Sequence, residues 1–295
     1  MSEARQQAIT LDAALGETDW SVLPQGASRS WFTAPSGDLA VVSLGNPANP
    51  RAVLVPGVTG SKEDFTLLMP MLARAGYFVQ SFDLAGQYES HRAGPPPGQR
   101  FSYELLTSDL AAFLEAEGPA HLLGYSFAGI LSQLLASQHP GLVRSLSLLT
   151  TPPTAGNVFT SMKVLGRFAP LVGPRAGGGL LIWGIKQGFN KPPADRLGFV
   201  RDRFKLTDRR SVDEILGLMM RTPDVRTALK QSGVPTLVVS STRDLWPVEH
   251  YARYAEQVGA SLRVYDTGHS PCETTPHQLA FDMLQHFAFA EGAGR

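Results

Sequence analysis

The chain is 295 residues long and 43% hydrophobic, and its 26 Lys or Arg are matched by 26 Asp or Glu. So much apolar sequence builds a sizeable core and exceeds what a minimal single domain needs without an insertion, while a formal net charge of zero argues against nucleic acid as the main partner. The single cysteine, Cys272, excludes an intramolecular disulfide and suits a reducing compartment. The opening residues Met1 to Gln7 are polar and lack the apolar run of a secretory signal. The longest apolar patch, around Leu180-Leu181-Ile182-Trp183, falls far short of the roughly 18 residues that a membrane span requires. A globular, cytoplasmic protein with no membrane span is expected.

Residues 1 to about 28 carry only Leu11, Ala14 and Leu15 at helical spacing, which predicts a loosely packed or capping segment. Ser30 to Ala34 and Leu39 to Leu44, joined by Ser36-Gly37-Asp38, read as a β-hairpin. Arg51 to Val55 is a continuous apolar strand of the kind buried on both faces, and it ends in Pro56-Gly57-Val58-Thr59-Gly60-Ser61. A helix is predicted from Lys62 to Gly76, then a strand from Tyr77 to Phe82 that ends in Asp83-Leu84-Ala85-Gly86. After a Gly- and Pro-rich loop come a helix from about Ser102 to Glu117, the apolar run from His121, and a strand from Val143 to Leu149. Strands that alternate with helices imply βαβ units and a mainly parallel sheet.

The alternation breaks between 154 and 230, where several amphipathic runs suggest short helices and no strand. It resumes with a strand at Thr236 to Ser240, a helix from about Val248 to Val258, a strand at Leu262 to Tyr265 and a last helix from about Pro276 to Phe287. The expected organisation is therefore a core over 1–153, a helical cap over 154–230, and the rest of the core over 231–295, with the cap above the strand ends where open α/β sheets bind ligands. The cap holds fourteen Lys or Arg against six Asp or Glu, so the core carries the opposite excess. Attraction between the two bodies is the plainer account of that split. The alternative is a basic rim of Arg196, Arg201, Arg203, Arg209 and Arg210 facing an anionic substrate or an acidic carrier protein.

The run from His121 ends in Gly124-Tyr125-Ser126-Phe127-Ala128-Gly129. A serine at the apex of a sharp strand-to-helix turn projects its hydroxyl above the sheet, and the crowded flanks two residues either side tolerate only small side chains, as Gly124 and Ala128 are. Gly129 adds room where the helix packs on the sheet. Such a hydroxyl becomes a nucleophile when an imidazole takes its proton, and the imidazole needs a carboxylate to fix its tautomer. Asp244 and His269 both lie just past later strands. Asp266 is a rival acid on the histidine's own loop. Asp83 is read as fixing its turn, Cys272 as packing locally, and His91, His121, His139, His250, His277 and His286 as surface or helix residues. No His/Cys/carboxylate cluster has metal-ligand spacing and no Gly-rich phosphate loop follows a strand, so neither a metal nor another cofactor is expected.

With Ser126, Asp244 and His269 in that chain order, the sequence resembles the α/β-hydrolase superfamily over about 30–153 and 231–290. The resemblance implies an α/β-hydrolase fold, with a mainly parallel central sheet, helices on both faces and a helical cap inserted after the sixth strand. Carried over, Ser126 is the nucleophile, Asp244 the acid and His269 the base, and the backbone N–H groups of Val58 and Phe127 form the oxyanion hole. Two departures, Pro56-Gly57 for the usual His-Gly and Ala128 for the usual glycine, leave the backbone geometry intact. Dehalogenase and epoxide-hydrolase branches place Asp at the elbow, so a serine implies an acyl-enzyme. Carboxyl-ester hydrolysis of a small to medium apolar acyl ester is the leading reading, ahead of thioester, lactone or carbon–carbon bond hydrolysis. A non-catalytic ligand receptor of the same fold is the alternative from another class. Tyr125, Trp183 and Trp246 are the candidate substrate-binding residues.

Overall fold

The computed structural model describes residues 2–163 and 194–293. Eight strands form one sheet in the order β1-β2-β4-β3-β5-β6-β7-β8. The hairpin β1 (Ser28–Ala34) and β2 (Gly37–Leu44) is antiparallel, and β2 is antiparallel to β4 (Phe78–Phe82). From β4 through β3 (Arg51–Val55), β5 (Ala120–Tyr125), β6 (Val143–Leu149), β7 (Thr236–Ser241) and β8 (Ser261–Tyr265), every pairing is parallel. Parallel neighbours need crossovers, and these put helices on both faces.

The continuous apolar runs follow from that. Every residue of β3, β5 and β7 is buried, and the strand period of two sorts their side chains to opposite faces. Val53, Val55, Leu122, Leu146 and Val238 join a core with α3 (Tyr103–Glu117), α4 (Phe127–Gln138) and α8 (Val248–Val258). Ala52, Leu54, Leu123, Leu237 and Val239 face α2 (Met69–Arg74) and α10 (Pro276–Ala293).

Three expectations are amended. The N-terminal segment is α1 (Glu3–Ala13), and it is firmly docked: Arg5 pairs with Asp282 at 2.8 Å, and the Asp12 carboxylate caps α10 by accepting the N–H groups of His277 at 2.8 Å and Gln278 at 3.1 Å. The helix predicted from Lys62 divides into a 3₁₀ turn at Lys62–Phe65 and α2. His121 is a wholly buried residue of β5, stacked on Phe287, and burial pushes its imidazole down to about 4. His286 is a helix residue, as expected, on the buried side of α10.

Between β6 and β7 the described residues form a 3₁₀ turn at Val158–Ser161 and helices α5 (Ala194–Leu206), α6 (Arg209–Met219), α7 (Arg226–Ser232) and, beyond β7, the chain returns to α8. Leu165, Phe168, Leu181, Trp183 and Phe189 lie outside the described residues. Gly156 and Thr222 exchange backbone hydrogen bonds of 2.8 and 2.9 Å, closing the neck of this insertion. Ile215, Leu216 and Met219 of α6 join the core beneath it, while α7, which spans the expected boundary at 230, packs on α4 and α8.

The turn between β1 and β2 is tethered by Asp109 of α3, whose Oδ1 accepts the Ser36 N–H at 2.9 Å. Its other oxygen is buried without a hydrogen-bond partner, and burial pushes the carboxyl up to about 6. A carboxyl that holds its proton more tightly in the fold than in the unfolded chain contributes stability fully below about pH 4 and loses it as pH rises through about 6. Asp109→Asn keeps the acceptor for Ser36. Its melting temperature should exceed that of the parent by several degrees near pH 8 and match it near pH 4; equal shifts at the two pH values would refute the assignment.

Candidate active site

Strand β5 runs straight into Ser126, whose backbone takes φ 53° and ψ −117° before α4 begins at Phe127. Such a conformation is costly for a residue with a Cβ and persists only where the surroundings impose it. The Ser126 N–H donates to Leu149 O at 2.8 Å, which ties the turn to the end of β6. A Cβ at Gly124 would lie 2.5 Å from Ser132 Oγ and 2.6 Å from Gly129 Cα, and one at Gly129 would overlap Thr151. The two glycines are therefore demanded by the close seating of α4 on β5 and β6.

Three strand ends converge above this turn. His269, past β8, brings Nε2 to 3.1 Å from Ser126 Oγ and Nδ1 to 2.6 Å from Asp244 Oδ1. The carboxylate lies past β7 with its side chain wholly buried, and it also accepts the Leu245 N–H at 2.6 Å on Oδ1 and the Tyr251 hydroxyl at 2.6 Å on Oδ2. A carboxylate at Nδ1 selects the tautomer in which Nε2 is the acceptor for the serine proton. Asp266 is turned outward, bound to Arg243 at 2.5 Å and Thr242 at 2.7 Å.

The histidine loop is braced from below. Thr150 Oγ1 donates to His269 O at 2.9 Å, and the Tyr125 and Ser270 hydroxyls are 2.8 Å apart. The Tyr125 and Trp246 rings flank the imidazole at 5.5 and 6.0 Å, and the Trp246 Nε1–H is spent on Val158 O at 2.9 Å. Both side chains are buried, so their described contacts support the imidazole. Trp183 lies outside the described residues. Cys272 is fully buried behind the loop.

On the other side, a Cβ at Gly57 would lie 3.0 Å from Ser126 Cβ, which puts the loop after β3 against the serine. Val58 follows directly, and Phe127 is the first residue of α4, where an N–H has no partner within the helix. Thr59 holds the loop, with φ 64° and its N–H on Gln87 Oε1 at 2.9 Å. Beneath the loop, Asp83 accepts the Lys62 N–H at 2.8 Å and the Lys62 ammonium at 3.0 Å, so it does fix a turn. Burial works against that ammonium, but Asp83, Glu63 and Glu89 outweigh it and hold the proton.

Comparison with known proteins agrees with this layout. Residues 52–282 match the model of the alpha/beta hydrolase family. The chain belongs to that family. It is 28% identical over 231 residues to an AB hydrolase superfamily protein of Gibberella zeae, covering 75% of this chain and 69% of that one. It is 31% identical over 132 residues to bifunctional epoxide hydrolase 2 of Rattus norvegicus, covering 44% of this chain but only 23% of the relative's length. Among solved structures, an enol-lactonase from Burkholderia xenovorans superposes with a TM-score of 0.70 at 18% identity, covering 88% of this chain and 100% of that one. A carboxylesterase structure from Nitrososphaera gargenis gives 0.69 at 19% identity, covering 90% and 100%.

Within this hydrolase the expected basic rim divides. Arg196 and Arg203 of α5 are buried and face the core: Arg196 Nη2 lies 2.5 Å from Asp64 Oδ1 and 2.6 Å from Glu273 Oε1, and Arg203 Nη1 lies 2.6 Å from Asp64 Oδ1. Asp64 Oδ2 takes the Ser61 N–H at 3.2 Å, so the carboxylate also shapes the loop after β3. One guanidinium thus joins the Val58 loop to the helix α9 (Pro271–Thr274) that follows His269. Arg210 pairs with Glu214, while Arg201 and Arg209 are exposed. Asp64, Glu273, Thr150 and Tyr251 carry no site signal in the sequence, and Arg196 reads there only as part of the rim. The pairs are too far apart in sequence to carry a signal, though the spacing of Tyr251, Tyr254, Ala255 and Val258 marks a core-facing helical stripe. Replacing Arg196 by Met removes one of the two guanidinium partners of the buried Asp64 and the guanidinium partner of the partly buried Glu273, and the expected loss is about 3–5 kcal/mol of unfolding free energy. Denaturant titration checks it, and a loss under about 1 kcal/mol, the range of exposed pairs, would show the cluster to be solvated.

Proposed function

We propose that this α/β hydrolase is a serine esterase in which Ser126, His269 and Asp244 act as nucleophile, base and acid on a small to medium apolar acyl ester. The observation that supports this best is the imidazole bridging Ser126 Oγ at 3.1 Å and Asp244 Oδ1 at 2.6 Å. His269 Nε2 takes the hydroxyl proton as Oγ attacks the ester carbonyl, and Asp244 stabilises the imidazolium that forms. The negative charge on the carbonyl oxygen falls to the N–H groups of Val58 and Phe127 at the start of α4, where the helix dipole adds to the field. His269 then protonates the departing alkoxide, which leaves an acyl-enzyme on Ser126. Water, deprotonated by the same imidazole, attacks the acyl carbon and releases the acid, and the proton returns to Oγ.

The same chemistry serves thioesters, lactones and activated carbon–carbon bonds, so these are the neighbouring readings. Epoxide opening stands further off despite the epoxide hydrolases among the relatives, because it uses a carboxylate at the position held here by Ser126. The helices between β6 and β7 are read as a cap over 154–230 that supplies an apolar roof, with Phe159, Met220 and Trp183 as candidate walls.

Ser126→Ala removes the nucleophile and little volume, so ester turnover should fall roughly 10⁴-fold or more with the melting temperature unchanged. Near-normal turnover would sink the assignment. Asp244→Asn should cost far more activity than Asp266→Asn, and a reversal would reassign the acid. For p-nitrophenyl esters of increasing chain length, kcat/KM should climb from acetate toward medium chains, each buried methylene adding up to ~0.8 kcal/mol. A profile that declines steadily from acetate would contradict an apolar roof.

A further inference from the structure

Asp244 is a buried carboxylate whose described partners are hydrogen-bond donors. Oδ1 is shared between His269 Nδ1 and the Leu245 N–H, both at 2.6 Å. Oδ2 receives the Tyr251 hydroxyl, also at 2.6 Å. The phenol reaches it from the first turns of α8, on the stripe of Tyr251, Tyr254, Ala255 and Val258 that faces the core. Next on that stripe, Tyr254 donates to Gln133 of α4 at 2.5 Å, so the helix is pinned by two buried phenols. Only 1% of Tyr251 is exposed. Burial, with Asp244 and then Tyr125 beside it, pushes the phenol well above its ordinary range, and it remains a donor at every working pH.

A carboxylate held at one oxygen pivots about that contact, and small displacements matter in a hydrogen bond of 2.6 Å. A donor on the second oxygen removes the pivot. It also draws charge density away from Oδ1, and so moderates how strongly the carboxylate holds the imidazolium. We propose that Tyr251 is a positioning residue for the Ser126 reaction, fixing Asp244 through Oδ2 so that Oδ1 stays in line with His269 Nδ1. This rests on the Ser126, His269 and Asp244 reading above. The titratable groups around the contact are Asp244 before α8, His269 after β8 and Tyr125 at the end of β5.

The test compares Tyr251→Phe with the parent on a medium-chain p-nitrophenyl ester, with kcat and KM measured across pH and Ser126→Ala run in parallel. The expected result is a fall in kcat on the order of tenfold, KM within about twofold, and an acid limb displaced to higher pH. In the Asp244→Asn background the same change should have no further effect on kcat, because the phenol acts only through that carboxylate. Should the phenylalanine variant not fold by circular dichroism, Tyr251→Met fills the same space with a flexible apolar chain and takes its place. A variant with a lower melting temperature but unaltered kcat and pH profile would make Tyr251 a packing residue and overturn the proposal. Activity surviving in Ser126→Ala would overturn the esterase reading itself, whereas an inactive Ser126→Ala beside an unaltered Tyr251→Phe would overturn the Tyr251 proposal alone.

Discussion

The backbone of Ser126 stands in a conformation that an L residue avoids, and the molecule is packed to keep it there. Helix α4 is pressed so closely onto β5 and β6 that neither Gly124 nor Gly129 has room for a Cβ, and the serine N–H is anchored on Leu149 O. The strain is offset by the core on which α4 rests, where Ile130, Leu131 and Leu135 are buried. In return the hydroxyl is lifted clear of the sheet, toward the imidazole and against the Gly57 loop. The remaining site elements are loops at the same ends of parallel strands, which is where this topology delivers them.

Much of this was legible in the sequence because the sheet imposes local patterns. Arg51 to Val55 and Thr236 to Ser240 read as uninterrupted apolar runs because helices cover both faces, and Gly124-Tyr125-Ser126-Phe127-Ala128 reads as an elbow because sterics leave few alternatives at its flanks. Asp244 and His269 stood out by lying just past strands. At Lys62 the chain forms a tight turn whose polar groups are spent on Asp83 and Asp64, an arrangement that apolar spacing does not report. His121 was misplaced for a related reason: its partners Ser145 and Glu291, at 2.8 and 3.2 Å, come from remote stretches.

The charge split between 154–230 and the rest was visible as a sum, but a sum does not say which charges meet. Arg196 and Arg203 lie inside, Arg196 paired with Asp64 and Glu273 and Arg203 with Asp64, and Arg201 and Arg209 lie outside. Burial opposes the Arg196 charge, and Glu273 and Asp64 outweigh it. Such a cluster adds less to stability than its short distances suggest. It does specify one seating of α5, between the loop of Val58 and the loop of His269.

The bridge between Gly156 and Thr222 joins the two ends of the long excursion between β6 and β7. A single pair of hydrogen bonds there fixes the distance between the two ends of the excursion, whatever lies between them, and closure entropy grows only slowly with added residues. Changes of length between those two positions that spare the core-packed residues of α5 and α6 therefore put little strain on the register of β6 against β7. In this chain the neck holds the two ends of the excursion together and leaves the alignment of serine, histidine and carboxylate to the sheet.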